Sequence, residues 1–138
     1  MTDRFTISGN IAATTDLINN SIGINDRNLA GTFALDYRSD LWQFKVSHLS
    51  IQENFNAEMG FIRRTNIRKT STELEYAPRP KSKTSIRQYK YEFQYEYLTN
   101  QRNRLLENKF GALFRIEFQN SSRVEAGFSH NSEYIDEE

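Results

Sequence analysis

Tyr89-Lys90-Tyr91-Glu92-Phe93-Gln94-Tyr95-Glu96-Tyr97 is the stretch that decides how this chain folds. Every odd position is aromatic, and every even one is charged or amide-bearing. Side chains on a strand alternate between its two faces, so the segment is a strand with one apolar side and one wet side. A helix would scatter the rings around its whole surface, and a period of two excludes it. What the ring face touches, a protein core or lipid, is then the main question.

Working outward, the same alternation recurs six more times. Phe5, Ile7, Gly9, Ile11 and Ala13 form one face of a first strand, with Thr6, Ser8 and Asn10 on the other. A polar stretch from about Thr14 to Asn28, rich in turn formers, precedes a second strand. There Leu29, Gly31, Phe33, Leu35 and Tyr37 oppose Thr32, Ala34, Asp36 and Arg38. A tight turn at Ser39-Asp40 leads to a third, with Trp42, Phe44 and Val46 against Gln43, Lys45 and Ser47. Its parity slips near His48-Leu49, which predicts a bulge or the strand's end.

An irregular segment from about Gln52 to Asn66 follows, then a fourth strand of Lys69, Ser71, Glu73 and Glu75 against Thr70, Thr72, Leu74 and Tyr76. It stops at Ala77-Pro78-Arg79-Pro80. The fifth strand is the opening stretch, entered through Thr84 to Gln88. A polar link from about Leu98 to Lys109 leads to Phe110, Ala112, Phe114, Ile116 and Phe118 against Gly111, Arg115 and Glu117, with Leu113 the exception. Asn120-Ser121-Ser122 turns into a seventh strand, Val124, Ala126 and Phe128 opposite Glu125, Gly127 and Ser129. An acidic tail, Glu133 to Glu138, ends the chain. The prediction is an all-β, antiparallel up-and-down meander of about seven long strands, with no helix.

Composition narrows the function. Lys+Arg and Asp+Glu both number 18, so no basic excess exists to hold a phosphate backbone, and nucleic acid is not an expected partner. Hydrophobic residues make up 37% and aromatics 13%, which suits strands that bury one face rather than a thick core. Cysteine is absent, which removes disulfides, thiolate metal sites and thiol nucleophiles. No run approaches the ~20 apolar residues of a spanning helix. The start, Met1-Thr2-Asp3-Arg4-Phe5, has no basic or apolar leader. An outer-membrane reading therefore expects the chain to be mature or to lack its natural beginning.

Periodicity alone does not separate a soluble barrel or sandwich, apolar side inward, from a membrane barrel, apolar side outward. Three features favour lipid. Rings at Trp42, Tyr76, Tyr89, Tyr97 and Phe118 fall near strand ends, where aromatic girdles mark membrane–water boundaries. The polar faces mix both signs, as in Lys90/Glu92 and Arg115/Glu117, which permits cross-strand pairing inside a lumen. The connections are expected to alternate, long after the first, third and fifth strands and shorter after the others. The lumen-lining set on this reading is Gln43, Lys45, Glu73, Lys90, Glu92, Gln94, Glu96, Arg115 and Glu117. Phe33, Leu35, Phe44, Tyr91, Phe93, Tyr95, Phe114 and Ile116 would face lipid. The alternative is a soluble β-barrel module holding an apolar ligand.

The loop stretch Asn54-Phe55-Asn56-Ala57-Glu58-Met59-Gly60-Phe61-Ile62-Arg63-Arg64-Thr65 adds a resemblance. It resembles the F-N-x-E-x-G-F-x-x-R element of a C-terminal β-barrel domain of unknown function in outer-membrane proteins of Gram-negative bacteria. In those proteins the domain follows a carbohydrate-binding module of family-nine type. Asp40-Leu41-Trp42, Tyr76-Ala77-Pro78-Arg79-Pro80 and Phe114-Arg115-Ile116-Glu117-Phe118-Gln119-Asn120 are similar to it as well. The resemblance implies a transmembrane β-barrel in the bacterial outer membrane, with lipid as partner. It also implies a parent protein associated with glycan binding or uptake. The carbohydrate-binding module is missing here, so carbohydrate would be a partner only through it. About seven strands is odd and small for a bacterial barrel, so residues 1–138 are expected to be a partial β-barrel domain, incomplete at both ends. Within the loop motif, Glu58 with Arg63 or Arg64 can form charge-assisted bonds, and Gly60 permits close packing. That would make the loop a lumen constriction or ligand contact, or simply a structural anchor.

No reaction chemistry competes. His48 and His130 are the only histidines and lack further ligands at metal spacing. Glu73 and Glu75 share a strand face, as glycosidase carboxylates about 5–10 Å apart would, but any polar strand gives that spacing. Asn25-Asp26 and Asp136-Glu137-Glu138 spell no full calcium loop. No phosphate loop or Ser/His/Asp set is readable. Lys81-Ser82-Lys83 reads as a solvated basic turn. The expectation for this stretch is no enzyme and no cofactor, with a glycan-active enzyme as a third reading that rests only on the family association.

Overall fold

The computed structural model describes residues 3–14, 27–56, 64–82 and 85–134. Seven strands follow one another: β1 (Arg4–Ala13), β2 (Leu29–Arg38), β3 (Trp42–Ile51), β4 (Ile67–Tyr76), β5 (Ile86–Asn100), β6 (Leu105–Phe118) and β7 (Arg123–Glu133). Each pairs antiparallel with the next in a single sheet of order β1 to β7. The predicted all-β meander is the fold, and no helix occurs among the described residues. The sheet is open, with β1 and β7 as its edges. In an odd-numbered meander both edge strands run in the same direction, so they cannot pair antiparallel with each other.

Local chemistry sets the turns. Ser39 closes the 39–41 turn, its backbone N–H donating to the Trp42 carbonyl at 2.7 Å while its Oγ accepts from the Trp42 N–H at 3.0 Å. Asn120 Oδ1 accepts from the Ser122 N–H at 3.0 Å, and Ser121 takes a φ of 66°. The 101–104 turn is built alike: Asn100 Oδ1 accepts from the N–H groups of Arg102 and Arg104, both at 2.9 Å, and Asn103 sits at φ 61°. Asparagine tolerates these left-handed angles and supplies the acceptor that a tight turn requires.

The 101–104 turn corrects one expectation. Connections 14–28 and 52–66 are long, but the third at that end is short, because β5 and β6 run to Asn100 and from Leu105. Conversely 77–85, at the other end, is longer than its neighbours 39–41 and 119–122. Length alternation is therefore partial. The residues read as a polar link instead extend two strands to 15 and 14 residues.

A second correction concerns β3. Its registers with β2 and β4 run unbroken from Gln43 to Ile51, so His48-Leu49 marks neither a bulge nor an end. The register does shift in β5, between Ile86 and Gln88 and again between Leu98 and Thr99. What changes at His48-Leu49 is the face that carries the apolar residues. Leu49 and Ile51 point to the ionic side, where Ile51, Ile67 and Leu98 form the buried core with Ala30, Leu49, Phe55 and Leu106 packed against it. This cluster is the only hydrophobic core among the described residues, and it lies at the 14–28, 52–66 and 101–104 end.

Candidate functional site

The antiparallel registers sort the side chains into two faces. One carries Phe33, Leu35, Phe44, Tyr91, Phe93, Tyr95, Phe114 and Ile116, joined by Trp42, Leu74, Tyr76 and Phe128. The other carries all nine residues expected on the polar side, in cross-strand rows. Lys45 faces Glu73 and Glu73 faces Gln94; Gln43 faces Glu75 and Glu75 faces Glu92; Lys90 faces Arg115 and Arg115 faces Glu125. Leu113 is the expected exception, lying between Glu92 and Gly127.

Charge is segregated almost completely. On the ring face no Asp, Glu, Lys or Arg occurs from Trp42 to Ser50, Thr70 to Tyr76, Tyr89 to Tyr97, Phe110 to Ile116, or Val124 to Ser132. On the ionic face a lattice ties neighbouring strands. Arg115 reaches Glu125 at 2.9 Å and Glu92 at 3.4 Å, and Lys90 reaches Glu75 at 3.5 Å. Glu96 collects Lys69 at 2.8 Å and Lys109 at 3.5 Å, while Asp36 and Arg38 pair at 2.7 Å. Gln43 Nε2 donates to Glu75 at 3.3 Å.

The ionic face is also the hollow one. Phe93 is 44% exposed and Tyr95 41%, whereas the side chains of Arg115, Glu75 and Lys90 are 22%, 23% and 24% exposed. Elsewhere the exposures mix: Gln43, Lys45, Glu73 and Gln94 on the ionic face are exposed, and Phe44, Leu74, Tyr91 and Phe114 on the ring face are half-buried. Hollows of about 130 and 400 Å³ open on the ionic side and meet at Glu73 and Gln94. No second layer of the described residues covers Tyr91, Phe93 or Tyr95.

Rings form rows on the outer face. Trp42 packs on Tyr76 at 4.2 Å between centroids, Tyr76 on Tyr91 at 6.0 Å, and Tyr91 on Phe114 at 4.9 Å. Such contacts contribute about 0.5–1.5 kcal/mol each beyond area burial. Trp42, Tyr76 and Phe118 sit at strand termini as read, while Tyr89 and Tyr97 lie a turn of the pleat inside the extended β5. The Asp40 and Arg79 segments, singled out separately in the sequence, meet here: the Arg79 guanidinium grips the Asp40 carboxylate through both nitrogens.

The loop motif is described in part. Glu58, Gly60, Phe61 and Arg63 lie outside the described residues. Asn54, Phe55 and Asn56 are sewn to the β1–β2 end: the Asn54 N–H donates to the Arg27 carbonyl at 2.9 Å and the Asn56 N–H to Thr14 Oγ1 at 3.3 Å. Phe55, between them, lies on the Ile51–Ile67–Leu98 core. Arg64 lines a hollow of about 370 Å³ with Asn66, Asn100, Glu133 and Tyr134.

Sequence reading missed Gln101. Its Nε2 lies 3.0 Å from the carbonyls of Ile51 and Ile67 and 3.1 Å from Ser50 Oγ, and its Oε1 accepts from Arg68 Nε at 3.0 Å. One amide thus clasps the ends of β3 and β4 to the 101–104 turn. Nothing in the local pattern marks it. The apolar core did leave a signal, the parity slips at Leu49 and Leu98.

The carboxylates and histidines singled out in the sequence have ordinary partners among the described residues. Glu75 is held by Gln43 and Lys90, and Glu73 stands opposite Lys45. His48 bonds Thr70 Oγ1 at 3.0 Å and His130 bonds Ser132 Oγ at 2.8 Å. No cluster of three or more His, Cys, Asp or Glu side chains suited to a metal ion occurs among the described residues. Comparison of the chain with family models, curated proteins and solved structures finds no match, so every functional reading stands on the residues themselves.

Proposed function

We propose that this chain is a section of the wall of an outer-membrane β-barrel, serving as a pore or a membrane anchor. Its ring face would lie against lipid and its ionic face against the lumen. One observation carries the reading: the central aromatic face of β3 to β7 is free of charge and uncovered by any second layer of the described residues, while hollows open on the charged face. In water such a face would favour burial, at about 25 cal/mol per Å² of apolar area. In a bilayer apolar-out and polar-in is the favoured arrangement.

Dimensions support it. From Tyr89 to Tyr97 the rings span roughly 27 Å of strand, or about 20 Å along the membrane normal at a ~40° tilt, near the ~25 Å apolar band of such barrels. The open edges require partners, since exposed ladders invite association. Antiparallel closure around β1 and β7 takes an odd number of further strands, which fits residues 1–138 as a partial domain of an even-stranded barrel. The bacterial outer membrane is the location this reading implies. Association of the parent protein with glycans rests on the loop resemblance alone.

A soluble barrel closing around an apolar ligand would need the ring face on its inside, whereas the hollows open on the ionic face. Detergent phase partitioning separates the two. The membrane reading expects the full-length protein in the detergent phase, with a heat-modifiable band on cold gel electrophoresis. Recovery in the aqueous phase as a folded species ends it.

A further inference from the structure

The two faces exchange chemistry along single strands. In β3 the outer side reads Trp42, Phe44, Val46 and then His48, Ser50, while the inner side reads Gln43, Lys45, Ser47 and then Leu49, Ile51. Outward residues of β4 toward the same end are Thr70 and Arg68, and those of β6 and β7 include Asn108 and Ser132. Inward ones are Ile67 on β4 and Leu98 on β5. Past the His48–Thr70 pair, therefore, β3 and β4 are polar outside, while their inner side gains Leu49, Ile51 and Ile67 beside Lys69, the pattern of strands surrounded by water. On β1 and β2 the outer side at that end stays apolar, with Ile11, Ala13 and Leu29.

The inner apolar residues form a collar. Ile51, Ile67 and Leu98 are its buried members, with Ala30, Leu49 and Leu106 alongside, so five adjacent strands contribute. Phe55 lies on it, fixed by the flanking bonds of Asn54 to Arg27 and of Asn56 to Thr14. The Gln52 N–H donates to the Leu29 carbonyl at 2.9 Å, and the Leu29 N–H donates back to Gln52 Oε1 at 2.9 Å. Gln101 clasps the strands from above. A side chain held at both flanks and pressed onto an inward apolar surface is placed to obstruct whatever passes along that surface.

We infer that β3 and β4 leave the bilayer at the level of His48 and Thr70, and that Phe55 and the Ile51–Ile67–Leu98 collar form an apolar seal across that mouth of the lumen. The inference rests on the membrane-barrel reading and adds to it a direction of closure. Ions and small polar solutes are stopped, because water leaves a narrow apolar constriction and takes the hydrated solute's path with it.

The test uses the full-length protein in planar bilayers and in liposomes, with a small neutral sugar as the swelling probe. Wild type is expected to be nearly closed to both ions and sugar. Phe55→Ala is expected to raise conductance and swelling by roughly threefold or more, since a dewetted constriction opens steeply as its width and polarity rise. Equal rates in wild type and Phe55→Ala, with both heat-modifiable, overturn the seal and leave the barrel standing. A wide, steady wild-type conductance overturns it too. Failure of wild type to enter membranes at all defeats the barrel reading instead. Should Phe55→Ala not fold, Phe55→Cys, in a stretch of 138 residues without native cysteine and with any cysteine elsewhere in the protein replaced, reports packing directly. Slow labelling by a membrane-impermeant maleimide supports the seal, and labelling as fast as in the denatured chain sinks it.

Discussion

The two halves of β3 are built from similar amounts of apolar material and arrange it oppositely. Trp42, Phe44 and Val46 turn their apolar side outward and leave Gln43 and Lys45 to the hollow face. Five residues on, Leu49 and Ile51 turn inward, and His48 and Ser50 face out. The backbone does not change between them, for the ladders with β2 and β4 keep register throughout. On the proposed reading the surroundings change instead: a chain packed against one solvent everywhere has no reason to switch sides, whereas one that passes from hydrocarbon into water has a compelling one. The 39–41 turn end of β3 would then lie in the membrane and its collar end in water.

The sharpest way to break that contrast is a charge on the ring face. Phe93, in mid-strand and 44% exposed between Leu74 and Ala112, would meet acyl chains. Phe93→Arg is expected to cost about 2–4 kcal/mol of folding free energy in lipid vesicles, measured by urea titration of the full-length protein. Arginine at Val46 is expected to behave similarly, while His48→Arg, beyond the switch, costs about 1 kcal/mol or less because the penalty falls near the interface. Equal costs at positions 46 and 48 would dissolve the proposed boundary between the two halves.

The collar end answers to a different rule. Leu98 is 8% exposed in a core of three buried residues, so Leu98→Ala is expected to cost about 2–3 kcal/mol through lost contacts and the cavity left behind. That loss should persist in detergent micelles, since it does not depend on hydrocarbon outside. Gln101→Ala removes the clasp and leaves the Ile51 and Ile67 carbonyls short of a donor, at about 1–2 kcal/mol. Both are read by the same urea titration. A negligible effect of Leu98→Ala would mean the collar end contributes no core of its own.

How much of this was legible in the sequence follows from what a period of two can encode. Strand number, order and face membership were readable, because Tyr89–Tyr97 and its counterparts each state a parity. Connection length after β5 was misread, since Asn100, Asn103 and Lys109 look like loop residues until their side chains are seen to cap a turn or join a ladder. The slip at His48-Leu49 was visible but ambiguous: a bulge and a switch of environment both move apolar residues across the strand, and only the unbroken register separates them. The hollows on the ionic face were not encoded locally at all: each is lined from four strands, and no single window of sequence contains it. Gln101 escaped for a related reason, as its four partners come from Ser50, Ile51, Ile67 and Arg68, far away along the chain.

The smallest expected effect sharpens the contrast from the ionic side. Glu92 accepts from Arg115 Nη1 at 3.4 Å, but Arg115 keeps a closer bond to Glu125 through Nε at 2.9 Å. Glu92→Gln retains shape and an acceptor oxygen, and the remaining lattice can redistribute around it. Partly exposed pairs of this kind contribute about 1 kcal/mol or less, so the variant should refold within that margin of wild type in vesicles. Its neighbour on β5 makes the comparison nearly internal: Phe93→Arg and Glu92→Gln are adjacent in chain and opposite in direction. Were the two to cost the same, the ionic face would have to be as tightly constrained as the ring face, and a packed protein interior on both sides of β5 would describe the sheet better than a wall between lipid and lumen.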